Sequence, residues 1–143
     1  MKRLAFLILP FLLLPSDSLA KSFGDYENAV YVRNYDGDTI TFNLPGLHPI
    51  IGEKISIRVN GIDTPEIRGK CEKEKYDAKQ AKEMVADILK DAEQITLKNM
   101  ERGKYFRIAA DVIVDGESLG DMLVEAGVAT RYDGGKKTHK WCE

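Results

Sequence analysis

The segment RVNGIDTPEIRG, residues 58–69, places two carboxylates in a stiff turn between two arginines. The acids are Asp63 and Glu66, and Arg58 and Arg68 lie on either side of them. A charged surface loop is the simplest explanation of such a pattern. The chemical alternative is a site in which the carboxylates hold a cation and the arginines hold an anion.

A second acidic segment, YDGDT at residues 35–39, supplies a partner for Asp63. Asp38 shares a strand face with apolar residues, so its carboxylate is expected to point inward. Two carboxylates held close together need a cation or a shared proton between them. Oxygen ligands suit a hard cation such as Ca²⁺ or Mg²⁺, and the backbone carbonyl of Thr64 is a further candidate ligand.

Two arginines lie on strand faces that core packing does not explain. Arg58 and Arg107 both project away from the apolar rows of their predicted strands. Exposed salt bridges, Arg58 with Glu66 and Arg107 with Asp111, are one interpretation. The other is phosphate binding, because a guanidinium group matches a phosphate with two parallel hydrogen bonds. Glu66 would then face the phosphorus and orient or deprotonate an attacking water.

The elements that position these residues follow from the hydrophobic periodicity. A helix without Gly or Pro is predicted over residues 72–92, and a short helix between Ser118 and Gly127. Residues 43–53 are predicted to form a loop. This order favours a mainly β fold with helices, in which a five-stranded barrel of the oligonucleotide/oligosaccharide-binding (OB) type has one helix after strand 3 and a short one after strand 5. An α+β sandwich is the alternative. The five strands are predicted near residues 30–35, 40–44, 55–60, 95–97 and 104–114.

The first 20 residues have the pattern of a secretory signal peptide. A basic start precedes an apolar run that is too short to span a bilayer, and small residues end at Ala20. We expect cleavage near Ala20 and a secreted or periplasmic domain of residues 21–143 without stable membrane association. An uncleaved anchor is the alternative. Cys71 and Cys142 are the only cysteines, and an even pair in an exported protein predicts a disulfide.

The overall charge does not indicate a basic nucleic-acid-binding surface. The chain has 21 Lys and Arg against 23 Asp and Glu, which gives a formal net charge of −2. An anionic partner would therefore need a local cluster of basic residues or a bound cation. One such cluster lies near the end of the sequence, where Arg131, Lys136, Lys137 and Lys140 are expected to contribute nonspecific affinity.

Three blocks together resemble the staphylococcal nuclease (thermonuclease) family. They are DGDT at residues 36–39, RVNGIDTPE at 58–66 and KYFR at 104–107. The resemblance runs over roughly residues 28–132, and it implies an OB barrel and Ca²⁺-dependent cleavage of DNA and RNA that leaves 3′-phosphate ends. Phe106 departs from the pattern, because the family usually has glycine before the second arginine.

The resemblance also implies a role for each matching residue. Asp38 and Asp63 correspond to ligands of one Ca²⁺ ion, with the carbonyl of Thr64 as a third. Asp36 corresponds to a residue that contacts these ligands and does not itself bind the ion. Glu66 corresponds to the carboxylate that positions water. The remaining matches bind the substrate: Arg58 and Arg107 hold the phosphate at the reaction centre, and Lys104 and Tyr105 contact the terminal phosphate and the base.

The sequence therefore predicts an exported, monomeric, metal-dependent nuclease. A non-catalytic OB module that binds nucleic acid is the alternative, but it would not need all five of the site residues Asp38, Asp63, Glu66, Arg58 and Arg107. A structural protein stabilised by Ca²⁺ would explain the carboxylates and not the arginines.

Overall fold

The computed structural model describes residues 22–103 and 107–143. The predicted signal peptide lies outside the described residues. So do Lys104 and Tyr105, the two predicted nucleotide contacts, and Phe106.

Five long strands form the main sheet, as the periodicity predicted. They are β1 (Val30–Asn34), β2 (Thr39–Asn43), β3 (Ile55–Val59), β5 (Ile95–Arg102) and β6 (Ile108–Val114). Their order across the sheet is β1-β2-β3-β6-β5. All neighbours are antiparallel except β3 and β6, which are parallel. β5 extends well beyond the residues 95–97 that indicated it.

Residues before β1 bring the two edges of this sheet together. Tyr26 and Leu97 exchange backbone hydrogen bonds, each of 2.8 Å, and Ala29 donates to the carbonyl of Ile95 at 2.9 Å. The segment that leads into β1 is therefore hydrogen-bonded to β5 at the other edge of the sheet, which is consistent with an OB-like arrangement. The mainly β fold with helices predicted from the sequence is confirmed.

The long helix α2 (Glu72–Asp91) follows β3, and the short helix α3 (Leu119–Glu125) follows β6. α2 buries the apolar residues spaced for one helical face, including Ala78, Ala81 and Val85. Ser118 caps α3 by accepting a hydrogen bond from the Asp121 N–H at 3.2 Å. No helix among the described residues is long and apolar enough to cross a membrane.

The periodicity missed four short elements. Residues 43–53 are not entirely a loop, because α1 (Pro49–Gly52) forms within them. Pro49 suits the first helical position, and the imidazole of His48 caps the helix. The other three are two-residue strands, which are too short to show alternation: β4 (Ile62–Asp63), β7 (Glu117–Ser118) and β8 (Thr130–Arg131).

Candidate active site

The strand register brings the predicted site residues to one edge of the sheet. Thr39 in β2 pairs with Arg58 in β3, and Arg58 pairs with Ala109 in β6. The residue before Thr39 is Asp38, and Arg107 lies two residues before Ala109. Three strands therefore deliver a carboxylate and two guanidinium groups to the same region.

The hairpin between β1 and β2 is organised by its own polar side chains. Asp36 Oδ1 accepts hydrogen bonds from the N–H groups of Asp38, at 3.1 Å, and Thr39, at 2.8 Å. Asn34 Nδ2 donates to the carbonyls of Asp36, at 2.8 Å, and Lys82 in α2, at 2.9 Å. Asp36 therefore hydrogen-bonds the backbone of Asp38, the predicted metal ligand that the resemblance implied it supports. The sequence pattern gave no sign that Asn34 ties the hairpin to the helix.

Asp38 is almost completely buried, at 2% exposure, as its strand face predicted. Its Oδ1 accepts hydrogen bonds from Arg58 Nη1 and, at 3.1 Å, from Thr39 Oγ1, while Oδ2 accepts from the Thr64 N–H at 3.2 Å. Burial raises the pKa of Asp38 to about 6, against the opposing effect of Arg58. The two salt bridges considered for the arginines are not those that form: Arg58 binds Asp38, and Asp111 accepts a hydrogen bond from Asn99.

Asp63 and Thr64 are held by the short strand pair that the sequence did not reveal. Asp63 in β4 pairs with Thr130 in β8, and both Asp63 and Thr64 are buried. Asp63 Oδ1 lies 2.7 Å from Lys137 Nζ and 3.5 Å from Arg58 Nη2, but neither contact has hydrogen-bond geometry. This carboxylate oxygen is therefore buried in an ion pair with Lys137, beside the guanidinium group of Arg58.

The donor set fits a calcium ion. Two buried carboxylates, Asp38 and Asp63, share the guanidinium of Arg58 as their counter-charge. Their carboxylate oxygens are ligands of the kind that Ca²⁺ prefers, and the buried hydroxyl oxygen of Thr64, the residue after Asp63, has no hydrogen-bond partner. These residues would hold the ion through oxygen atoms only.

Glu66 is exposed and lies in a loop that is hydrogen-bonded to a side chain of α2. The buried carboxylate of Glu74 accepts hydrogen bonds from the N–H groups of Lys70, at 2.8 Å, and Glu66, at 3.4 Å. A Cβ atom added to Gly69 would lie 2.5 Å from the Glu74 side chain, so only glycine leaves room for this carboxylate. Glu74 is a second positioning residue that the sequence pattern did not single out.

The three residues predicted to act at the phosphate line one cleft of about 640 Å³. Arg58, Glu66 and Arg107 contribute to its wall, together with Tyr35 and Tyr132. Arg107 is exposed, and its carbonyl accepts a hydrogen bond from the Gly103 N–H at 2.7 Å.

Lys137, which was predicted to belong to a basic tail held near the site by the disulfide, contacts two of the predicted site residues. Its Nζ is 2.7 Å from Asp63 Oδ1 and 3.0 Å from Glu66 Oε1. Burial alone would lower the pKa of Lys137, but the carboxylates of Asp63 and Glu66 outweigh that effect and raise it. Two other residues of the predicted basic cluster have acidic partners of their own, Arg131 with Asp121 and Lys140 with Glu143.

The predicted disulfide is present and fastens the tail to the start of α2. Cys71 and Cys142 are bonded, with their Cα atoms 6.0 Å apart. Within the described part of the chain, one group of three Cys, His, Asp or Glu residues has ligand atoms close enough to share a metal, and it is Cys71, Glu74 and Cys142. Because both sulfur atoms are used by the disulfide, this group is not the predicted cation site.

Comparison with known families agrees with this geometry. The family model described as staphylococcal nuclease homologue matches residues 56–141, more than half of the chain. The matched region contains Arg58, Asp63, Glu66 and Arg107, whereas Asp38 lies before it. No curated protein matches the sequence. The chain belongs to the staphylococcal nuclease homologue family.

Proposed function

We propose that this protein is an exported calcium-dependent nuclease that hydrolyses phosphodiester bonds in DNA, RNA or both and leaves 3′-phosphate ends. One observation carries the proposal: Arg58, Glu66 and Arg107 line a single cleft, with the buried carboxylates of Asp38 and Asp63 beside Arg58. The family membership supports a nuclease or nucleic-acid-binding function in general.

The arrangement provides the groups that phosphodiester hydrolysis needs. Glu66 is exposed in the cleft, so it can take a proton from a water molecule as that water attacks the phosphorus. The new bond joins the water oxygen to phosphorus, and the bond from phosphorus to the 5′ oxygen breaks. The departing oxygen takes a proton from solvent. The products are a 3′-phosphate and a 5′-hydroxyl.

The arginines stabilise the charge that develops on the phosphate oxygens. Arg107 is exposed at the wall of the cleft, whereas Arg58 is already oriented by Asp38 and by the carbonyl of Ile62, at 3.2 Å. Preorganised donors of this kind stabilise the transition state without reorganising during the reaction. A calcium ion held by Asp38, Asp63 and the carbonyl of Thr64 would add positive charge beside the phosphate.

Export is supported by two independent features. The leader pattern of residues 1–20 suits cleavage near Ala20, and the Cys71–Cys142 disulfide suits an oxidising compartment. We propose that the mature protein acts as a monomer in the periplasm or the medium. Amino-terminal sequencing of the exported protein tests the cleavage site.

The direct test is an assay of the purified protein on single-stranded DNA, duplex DNA and RNA, with Ca²⁺, with Mg²⁺ and with a chelator. We expect calcium-dependent cleavage, and end-labelling should identify 3′-phosphate termini on the products. Tight binding of nucleic acid without cleavage under any of these conditions would instead support a non-catalytic module. Full activity in excess chelator would refute the role of the metal.

A further inference from the structure

The end of the chain forms a segment that is fixed on both sides of the candidate site. We call residues 132–142 the strap. At its start, the Tyr132 N–H donates to the carbonyl of Gly61 at 2.9 Å. At its end, Cys142 is bonded to Cys71, and Lys73 Nζ donates to the neighbouring carbonyl of Trp141 at 3.1 Å. The strap therefore crosses the site with both ends attached.

Lys137 lies midway along the strap, five residues from either end. Its ammonium group contacts both Asp63 Oδ1 and Glu66 Oε1, at 2.7 Å and 3.0 Å. It also lines both the main cleft and a smaller adjoining cleft that includes Asp63 and His139. A lysine thus bridges the proposed metal ligand and the proposed water-positioning carboxylate.

We propose that the ammonium group of Lys137 occupies the position of the divalent ion at Asp63 until that ion binds. The Cys71–Cys142 disulfide holds the strap, and with it Lys137, near Asp63. This inference rests on the proposed function, because it assigns a competitor to the proposed calcium ligand.

Competition follows from the contact distances. A calcium ion bound through Asp63 Oδ1 would lie about 2.3–2.6 Å from that oxygen. The Lys137 ammonium is already 2.7 Å from the same atom, so the two cations exclude each other there. When calcium binds, Lys137 gives up Asp63 and keeps its contact with Glu66, which leaves its charge at the edge of the cleft.

The tether explains why one lysine can compete. A free side chain loses rotamer entropy when it forms an exposed ion pair, and such pairs contribute little. The strap is attached at both ends, so it keeps Lys137 near Asp63 at a high effective concentration. Without the disulfide, one attachment is lost and the competition should weaken.

Calcium titration by calorimetry, without nucleic acid, tests the proposal. Lys137→Met removes the charge and keeps the length of the side chain. We expect it to bind calcium about two- to fivefold more tightly than the wild-type protein, the effect of losing one ion pair. Lys136→Met is the matched control, because Lys136 is exposed and has no ion pair with a described residue. Its calcium affinity should equal that of the wild type.

The result separates this inference from the proposed function. Unchanged or weaker calcium binding by Lys137→Met would overturn the inference and leave the proposed nuclease intact. If neither protein binds calcium, the proposed metal site and the inference both fail. A loss of folding in Lys137→Met would not increase calcium affinity, so tighter binding excludes a merely structural role.

A double-mutant cycle tests the tether. In a background with Cys71→Ser and Cys142→Ser, Lys137→Met should change the calcium affinity by much less than it does in the disulfide-bonded protein. Circular dichroism confirms that the serine variant is folded. An effect of Lys137→Met that is equally large without the disulfide would overturn the role of the tether.

Discussion

Arg58 donates a hydrogen bond through Nη1 to Oδ1 of the buried Asp38. The contact depends on the β2–β3 register, which pairs Thr39 with Arg58. A predicted phosphate-binding residue is therefore also the counter-charge of a predicted metal ligand. The carboxylate of Asp38 nevertheless has a raised pKa, of about 6, because its burial outweighs the effect of the guanidinium.

The raised pKa gives the calcium-free protein a defined dependence on pH. An acid whose pKa is higher in the folded state stabilises the fold below its unfolded pKa, and this contribution is lost as the pH rises through the folded pKa. We compare the wild type with Asp38→Asn by urea unfolding in a chelator. The wild type should lose stability relative to the variant between about pH 4 and pH 7, by up to about 3 kcal/mol. A constant difference across that range would contradict the prediction.

Two substitutions should separate chemistry from folding. Arg107→Ala removes the proposed donor to the phosphate, and Glu66→Gln removes the proposed proton acceptor. Each should lower kcat by about 10²–10³ and leave the melting temperature nearly unchanged, because both side chains are exposed.

Matched controls exist on other surfaces. Arg33 and Glu125 are exposed and line no part of the main cleft, so Arg33→Ala and Glu125→Gln should retain activity. Steady-state kinetics on single-stranded DNA measures all four variants. Near-wild-type turnover in folded Arg107→Ala or Glu66→Gln would remove that residue from the mechanism.

Glu74→Ala should destabilise the loop that carries Glu66. It leaves the N–H groups of Lys70 and Glu66 without their carboxylate acceptor, and a hydrogen bond to a charged group typically contributes about 1.5–3 kcal/mol. Because the freed loop carries Glu66, turnover should fall as well. Glu72→Ala is the control, since Glu72 is exposed in the same turn of α2 and pairs only with Lys75 among described residues. Equal melting temperatures and rates for the two variants would contradict this role.

The sequence indicated the long elements and the local site residues because their signals are local. Alternation marked the five long strands, and helical spacing marked α2. The positions of Asp38 and Arg58 on their strand faces also followed from periodicity alone. Strand β4 carries no such signal, because two residues cannot show a period.

The contacts that the sequence did not reveal join residues far apart in the chain. Asn34 donates to Lys82, and Lys137 reaches Asp63 and Glu66 across the strap. Each of these contacts depends on how elements are placed in space, and a single asparagine or lysine has no pattern that announces it. The predicted disulfide gave the only indication that the tail returns to the site.

Reducing the disulfide should destabilise the protein strongly. Cys71 and Cys142 are 71 residues apart, and closing a loop of that length contributes about 4 kcal/mol in the chain-entropy model. The melting temperature should therefore fall when a reductant is added. The Cys71→Ser, Cys142→Ser double variant should melt at the temperature of the reduced wild type and show no response to reductant. A reductant-insensitive wild type would show that the bond does not stabilise the fold.

Gly37 should tolerate no side chain. A Cβ atom at this position would lie 2.8 Å from Thr64 Cγ2 and 3.0 Å from Ala81 Cβ. The hairpin contacts the segment that contains Thr64 and helix α2 at this point. Gly37→Ala must push these elements apart, which typically costs about 1–3 kcal/mol. Since the Thr64 N–H also donates to Asp38, calcium affinity should fall together with the melting temperature.

Gly135→Ala is the control, because its nearest contact is the Asp133 side chain on the exposed strap, which can move aside. Thermal unfolding with and without calcium measures both effects, and a Gly37→Ala variant as stable as the wild type would show that the hairpin does not pack this tightly.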